Sequence, residues 1–242
     1  MNAELMGFRI DNYTFEEGVN KALEFACSDK VSQIVTINPE MIEYALKNKD
    51  FANIIQNAEM VIPDGIGIKI GLKLNGYNVH RLPGIDFAYN LLEKCAVNNL
   101  PVAIVGAKEE IINKAVEKLR TKIENLNIVY YHNGYFENNE EIYNNLREKS
   151  PKLILAAMGS PRQEIFISNA KKCLPPCVMI GIGGSLDVWS GNIKRAPEIY
   201  QKLGLEWLYR TISQPERFKR IFPALPLFIF KTICYKYKNR SL

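Results

Sequence analysis

GIGGSLDVWSG, residues 181–191, is the stretch on which the fold turns. The apolar run that leads into it, Cys177–Ile182, reads as a buried strand bounded by glycines. It opens into Gly183-Gly184, where the missing Cβ lets a ligand approach the backbone closely. Asp187 and Trp189 follow, so one turn carries amide donors, a carboxylate and an aromatic face. A tight loop beside a core tryptophan accounts for the same residues. Two other strand ends look alike, Val61–Gly67 (VIPDGIG) and Ala103–Ala107 (AIVGA). Open α/β sheets bind ligands at strand ends of this kind.

Working outward, strands are expected at Met6–Ile10, Val31–Ile37, Val61-Ile62, Pro101–Val105, Ile128–Tyr131, Lys152–Ala157 and Cys177–Ile182, with helical spacing between them. Thr14 stands three residues before Glu17, a capping-box spacing. Asn38-Pro39 reads as N-cap and first helical residue, and Asp50 as the cap of the next helix. Ser160-Pro161 has the same cap-and-proline form. Strands alternating with helices predict an α/β protein, a Rossmann-like, mostly parallel sheet with helices on both faces. Residues 1–203 form this core, and 204–242 form a helical, basic and aromatic C-terminal appendage.

The length, 242 residues, allows a full core. The net charge of +5 is unevenly placed: from Arg210 onward there are eight Lys or Arg and one acid, +7, which leaves −2 for residues 1–209. A basic segment of this kind suggests an anionic partner. One reading is a helix pair docked on the core. The sharper one is an amphipathic segment lying on a membrane, with Trp207, Phe218, Phe222 and Phe228 on its apolar side. The longest apolar run, Phe222–Phe230, contains two prolines and is too short to span a bilayer. No signal peptide is expected at the N-terminus. The five cysteines are scattered and the histidines number two, without zinc or CxxC spacing, so reduced thiols and no metal site are expected.

Asp64 lies between Pro63 and Gly65 at a strand end. It is a turn former there, or a general base at a pocket mouth. Thr36 and Asn38 can hydrogen-bond a polyhydroxylated ligand, although capping alone explains Asn38. Gly106-Ala107 suits phosphate on helix N-terminal amides, yet neither GxGxxG nor GxxxxGK[ST] is present, which disfavours a nicotinamide oxidoreductase. Arg81, Arg162, Arg195, Arg210, Arg217 and Arg220 are candidates for diphosphate, and each is also an ordinary surface arginine. Gln163 fits pocket or surface equally.

TINPEMI (36–42), PDGIGI (63–68), RLPGIDF (81–87), GAKEE (106–110), NGYF (133–136), AMGSPRQE (157–164), GIGGSLDVWSGNIKRAPEIYQKLGLEWLYR (181–210) and QPERFKR (214–220), taken in order, resemble the WecG/TagA/CpsF glycosyltransferase family over nearly the whole chain. The resemblance implies inverting, metal-independent transfer of a sugar, commonly N-acetylmannosamine, from a UDP-sugar to undecaprenyl-diphosphate-linked GlcNAc. That step serves wall teichoic acid or related surface polymers, on the inner face of the cell membrane. It implies no cofactor and no nucleic-acid partner, and leaves a homo-oligomer open. By the same resemblance Asp64 matches the proposed base, Thr36, Asn38, Arg81 and Gln163 match pocket residues, and Arg210, Arg217 and Arg220 match arginines of the appendage. Gly106, Tyr135, Gly184 and Asp187 fall in blocks assigned to the nucleotide. A non-catalytic α/β module that binds polyanions or lipid is the alternative.

Overall fold

The computed structural model describes residues 3–202, 204–206, 208–209 and 226–236. A short hairpin comes first, β1 (Ala3–Leu5) and β2 (Phe8–Ile10), where one strand is expected from the sequence. There follow α1 (Phe15–Cys27), β3 (Ser32–Ile37), α2 (Pro39–Ala45), α3 (Lys49–Gln56), β4 (Met60–Pro63), α4 (Ile66–Leu74), α5 (Gly84–Val97), β5 (Val102–Gly106), α6 (Glu109–Lys122) and β6 (Ile128–His132). Then come α7 (Asn139–Lys149), β7 (Leu153–Ala157), α8 (Arg162–Ala170), β8 (Val178–Gly181), α9 (Ser185–Trp189) and α10 (Glu198–Lys202). Residues 226–236 are helical.

Six strands form one parallel sheet in the order β4-β3-β8-β7-β5-β6, the α/β architecture expected. The inner strands are buried on both faces, which is why they read as continuous apolar runs rather than alternating ones. Alternate residues feed opposite cores. Ile34, Ile104, Leu155 and Ile180 pack under Val19 and Ala22 of α1, Phe87 and Leu91 of α5, Ala115 of α6 and Leu186 of α9. On the other face Val35 and Ile37 meet α2, α3 and α4, and Ala103, Ile154 and Met179 meet α7 and α8. The hairpin seals the β4 edge: Asp11 N–H donates to the Val61 carbonyl at 2.8 Å, and Val61 N–H donates to Asp11 Oδ2 at 2.7 Å.

The capping box at Thr14 and the Asn38 cap form as expected. Two other caps differ. Asn48, not Asp50, caps α3, with its side chain accepting from Phe51 N–H. Pro161 itself occupies the N-cap of α8, after a cis Ser160-Pro161 bond, so α8 begins at Arg162 and Ser160 is left outside it.

Residues 226–236 correct part of the membrane reading. Phe228 is fully buried in the core over α2 and α4, with one ring carbon 3.4 Å from where a Cβ on Gly71 would stand. Lys231 pairs with Glu43, and Lys236 donates to the Leu74 carbonyl. One of the four expected lipid-facing aromatics therefore packs inward, and two of the tail's cations hold it to the protein. Trp207, Phe218 and Phe222 lie outside the described residues.

Candidate active site

After β3 the chain turns to α2 on one face, and after the adjacent β8 it turns to α9 on the other. The strand ends therefore part, and a crevice opens between them, the usual ligand position in such sheets. It is a cleft of about 580 Å³, lined among others by Thr36, Asn38, Asp64, Arg81, Gln163 and Gly184. Six of the site residues expected from the sequence thus come together from five separate segments.

Each is held by local structure. Thr36, next to last in β3, donates its hydroxyl to the Gly181 carbonyl at 3.1 Å. Asn38 Oδ1 accepts from Met41 N–H at 3.0 Å, so the capping role is real and the side chain also borders the cleft. Asp64 leaves the end of β4 with its N–H on the Ile37 carbonyl at 2.9 Å. Gly84 makes room: a Cβ there would stand 3.2 Å from Thr36 Cγ2 and 3.5 Å from Asp64 Oδ2. Gln163, in the first turn of α8, is 4% exposed and lines the cleft rather than the outer surface. Its Oε1 accepts from Gly183 N–H at 3.0 Å and its Nε2 donates to Glu164 Oε1 at 2.7 Å.

Arg81 donates to the Gln201 carbonyl at 3.0 Å and lies 3.8 Å from Glu206 Oε1. Arg195 donates to Asp86 at 2.6 Å and stands 3.9 Å from the same Glu206 oxygen. Glu206 thus ties the segment after α10 to the rim of the cleft, which Gly204 and Glu206 help line. Arg162 reaches away, to the Gly134 carbonyl at 2.9 Å. Among the described lining residues Arg81 is the one cation, beside the carboxylates of Glu40, Asp64 and Glu206.

The nucleotide candidates are more spread. Gly184 lines the cleft and Asp187 Oδ2 is 3.6 Å from the position of a Cβ on it. Gly106 and Tyr135 lie beyond the lining, at the ends of β5 and β6. The close approach at Gly106 is made by the chain itself: a Cβ would meet the Ala157 carbonyl at 2.4 Å, at φ +145°. The first turn of α6 beyond it carries Glu109 and Glu110, which oppose an anion there. Tyr135 is 69% exposed. Trp189 packs against the core, edge-on to Tyr89, as the simpler reading had it. Arg210, Arg217 and Arg220 lie outside the described residues. No group of three His, Cys, Asp or Glu among those described is placed to hold a metal ion.

Sequence reasoning missed Glu164, Gly181 and Glu206. Only Gly181 carries a local signal, a glycine closing an apolar strand. Glu164 is 2% exposed, and its Oε2 has no hydrogen-bond partner. Burial pushes its carboxyl up, opposed by side-chain hydrogen bonds with Gln163 and Ser160. The fold therefore favours the neutral acid. Stability tied to this group is full below the unfolded pKa of about 4.3 and is lost as pH rises through the raised value. Glu164→Gln, always neutral, is expected to melt higher than the parent near pH 8 and to match it near pH 4. A Tm difference that does not change with pH contradicts this.

Comparison with known proteins gives the family. The model of the glycosyl transferase WecG/TagA/CpsF family matches residues 3–242. Proteins named N-acetylglucosaminyldiphosphoundecaprenol N-acetyl-beta-D-mannosaminyltransferase are similar over most of their length. That of Bacillus subtilis is 34% identical over 86% of this chain and 81% of its own. That of Bacillus spizizenii is 33% identical over 88% and 82%. That of Staphylococcus aureus is 31% identical over 98% and 94%. With the family model matched from residue 3 to 242 and these relatives at 31–34% identity, this chain is a glycosyltransferase and belongs to the WecG/TagA/CpsF family.

Proposed function

We propose that the chain moves N-acetylmannosamine from its UDP-sugar to undecaprenyl-diphosphate-linked GlcNAc, with inversion and without a metal. The observation that carries this reading is the convergence of Thr36, Asn38, Asp64, Arg81 and Gln163 on one cleft, joined to relatives whose name describes that transfer. In the proposed step the acceptor hydroxyl oxygen bonds to the anomeric carbon as the bond to the UDP oxygen breaks. UDP leaves with the electron pair and Asp64 takes the hydroxyl proton. A single displacement of this kind inverts the centre.

Charge grows on the departing diphosphate and must be met by fixed donors. Arg81 is one. A lining that is otherwise acidic gives a reason for more cations, the role we assign to Arg210, Arg217 and Arg220. Gly184 and Asp187, with the exposed ring of Tyr135, are assigned to the nucleotide; an aromatic face suits a base.

We assign 1–203 as catalytic core and 204–242 as membrane-associating appendage, placing the enzyme peripherally on the inner leaflet, in teichoic acid or other surface polymer synthesis. Leu227, Phe230 and Ile233, 46%, 63% and 36% exposed at three-residue spacing, support that docking. No helix of the described residues is long and apolar enough to cross a membrane.

The test is UDP release from UDP-N-acetylmannosamine with a lipid-diphosphate-GlcNAc analogue in EDTA. Acceptor-dependent release is expected. Loss of release in EDTA overturns the metal-free step. Silence across a panel of UDP-sugars, with salt-dependent binding to any polyanion, favours the binding-module reading.

A further inference from the structure

Glu164 is a carboxyl in the interior of a protein whose proposed chemistry gives it no part. It sits in α8 beside Gln163, 2% exposed, one residue behind the cleft lining. One of its oxygens is used, Oε1 accepting from Gln163 Nε2 at 2.7 Å, while Oε2 is buried without a partner. A carboxyl kept there at a desolvation cost needs a reason, because an apolar side chain would fill the space more cheaply.

The reason lies in the symmetry of the amide next door. A glutamine side chain is nearly the same shape either way round, with an acceptor at one end and donors at the other. Gln163 Oε1 accepts from Gly183 N–H at 3.0 Å. Turned over, its NH2 would face that N–H, donor against donor. Glu164 Oε1 takes the donor end while Gly183 N–H takes the acceptor end, and the two contacts together favour one sense of the amide. Gly181 adds the second constraint: a Cβ there would stand 2.4 Å from Gln163 Nε2 and 2.7 Å from its Cδ, so only glycine leaves the amide its place. Gly181 has no positive φ, so alanine would disturb the amide and not the strand.

We infer that Glu164 is a positioning residue that fixes the sense of the Gln163 amide, and through it the Gly183-Gly184 turn that floors the cleft. Its action reaches the cleft in two bonds, Glu164 to Gln163 and Gln163 to Gly183, beside the Thr36 bond to the Gly181 carbonyl. The inference rests on the transferase reading for its catalytic consequence, and on the hydrogen bonds alone for its structural one.

Three variants of the full chain test it: Glu164→Gln, which keeps an acceptor oxygen, Glu164→Met, which removes it at similar volume, and Gly181→Ala, which pushes the amide directly. The first readout is amide hydrogen exchange of the 181–186 segment, which needs no substrate. Loss of one hydrogen bond is expected to speed Gly183 exchange about tenfold in Glu164→Met and Gly181→Ala, with Glu164→Gln at the parental rate. The second is kinetics: KM for the UDP-sugar is expected to rise in the same two variants and to be restored in Glu164→Gln. Parental exchange in Glu164→Met overturns the inference, as does faster exchange spread evenly over the sheet in step with Tm. If exchange behaves as expected but the parent transfers no sugar, the proposed activity fails and the positioning role stands.

Discussion

Asp64→Asn is expected to lower acceptor-dependent UDP release by about 10²- to 10⁴-fold, the usual range for losing a positioned general base. Asparagine has the shape of aspartate and keeps a hydrogen-bonding oxygen, so the donor should still bind. The loss should therefore fall on kcat, with KM for the UDP-sugar nearly unchanged. The geometry favours this separation. Asp64 is fixed by backbone, through its N–H on the Ile37 carbonyl, and its side chain faces the space left by Gly84. Neither constraint needs the negative charge. Retained turnover in Asp64→Asn would remove the base from Asp64 and direct attention to Glu40 and Glu206, the other carboxylates of the lining.

The parts of this fold that were legible in the sequence are those where local chemistry decides. Strands buried on both faces announce themselves as apolar runs, and Asn38-Pro39 is a cap that could hardly be anything else. Of the glycines at strand ends, Gly184 lines the cleft. At Gly106 the same signal had another cause, since the backbone of β7 and not a ligand fills the space. Strand order was beyond reach: β8, last in sequence, lies between β3 and β7, and periodicity carries no record of which strands pair. Gln163 could not be placed because its burial depends on α8 leaning over Gly181, a contact between segments 18 residues apart that only the fold brings together. Glu206 was invisible for the same reason, as its two arginine partners come from residues 81 and 195. Charge counting overstated the tail, because it cannot tell a lysine facing lipid from Lys231 paired with Glu43.

That last difference shapes the test of the appendage. Cutting the chain after residue 203 would strip Phe228 from the core and confuse loss of docking with loss of folding. Point variants on the two faces of residues 226–236 separate them. Phe228→Ala empties a fully buried ring site and is expected to cost about 3–5 kcal/mol, a fall in Tm of about 10 °C. The triple change Leu227→Ser, Phe230→Ser, Ile233→Ser touches the exposed face and should leave Tm within about 2 °C. Its effect should fall on lipid: binding to phosphatidylglycerol vesicles is expected to weaken by about tenfold or more, because each apolar side chain that enters the interface contributes on the order of 1 kcal/mol. Transfer to a soluble acceptor analogue should then persist while transfer to acceptor in vesicles declines. Unchanged vesicle binding by the triple variant would show that the outward face meets something other than lipid, and the membrane role of this segment would have to be abandoned.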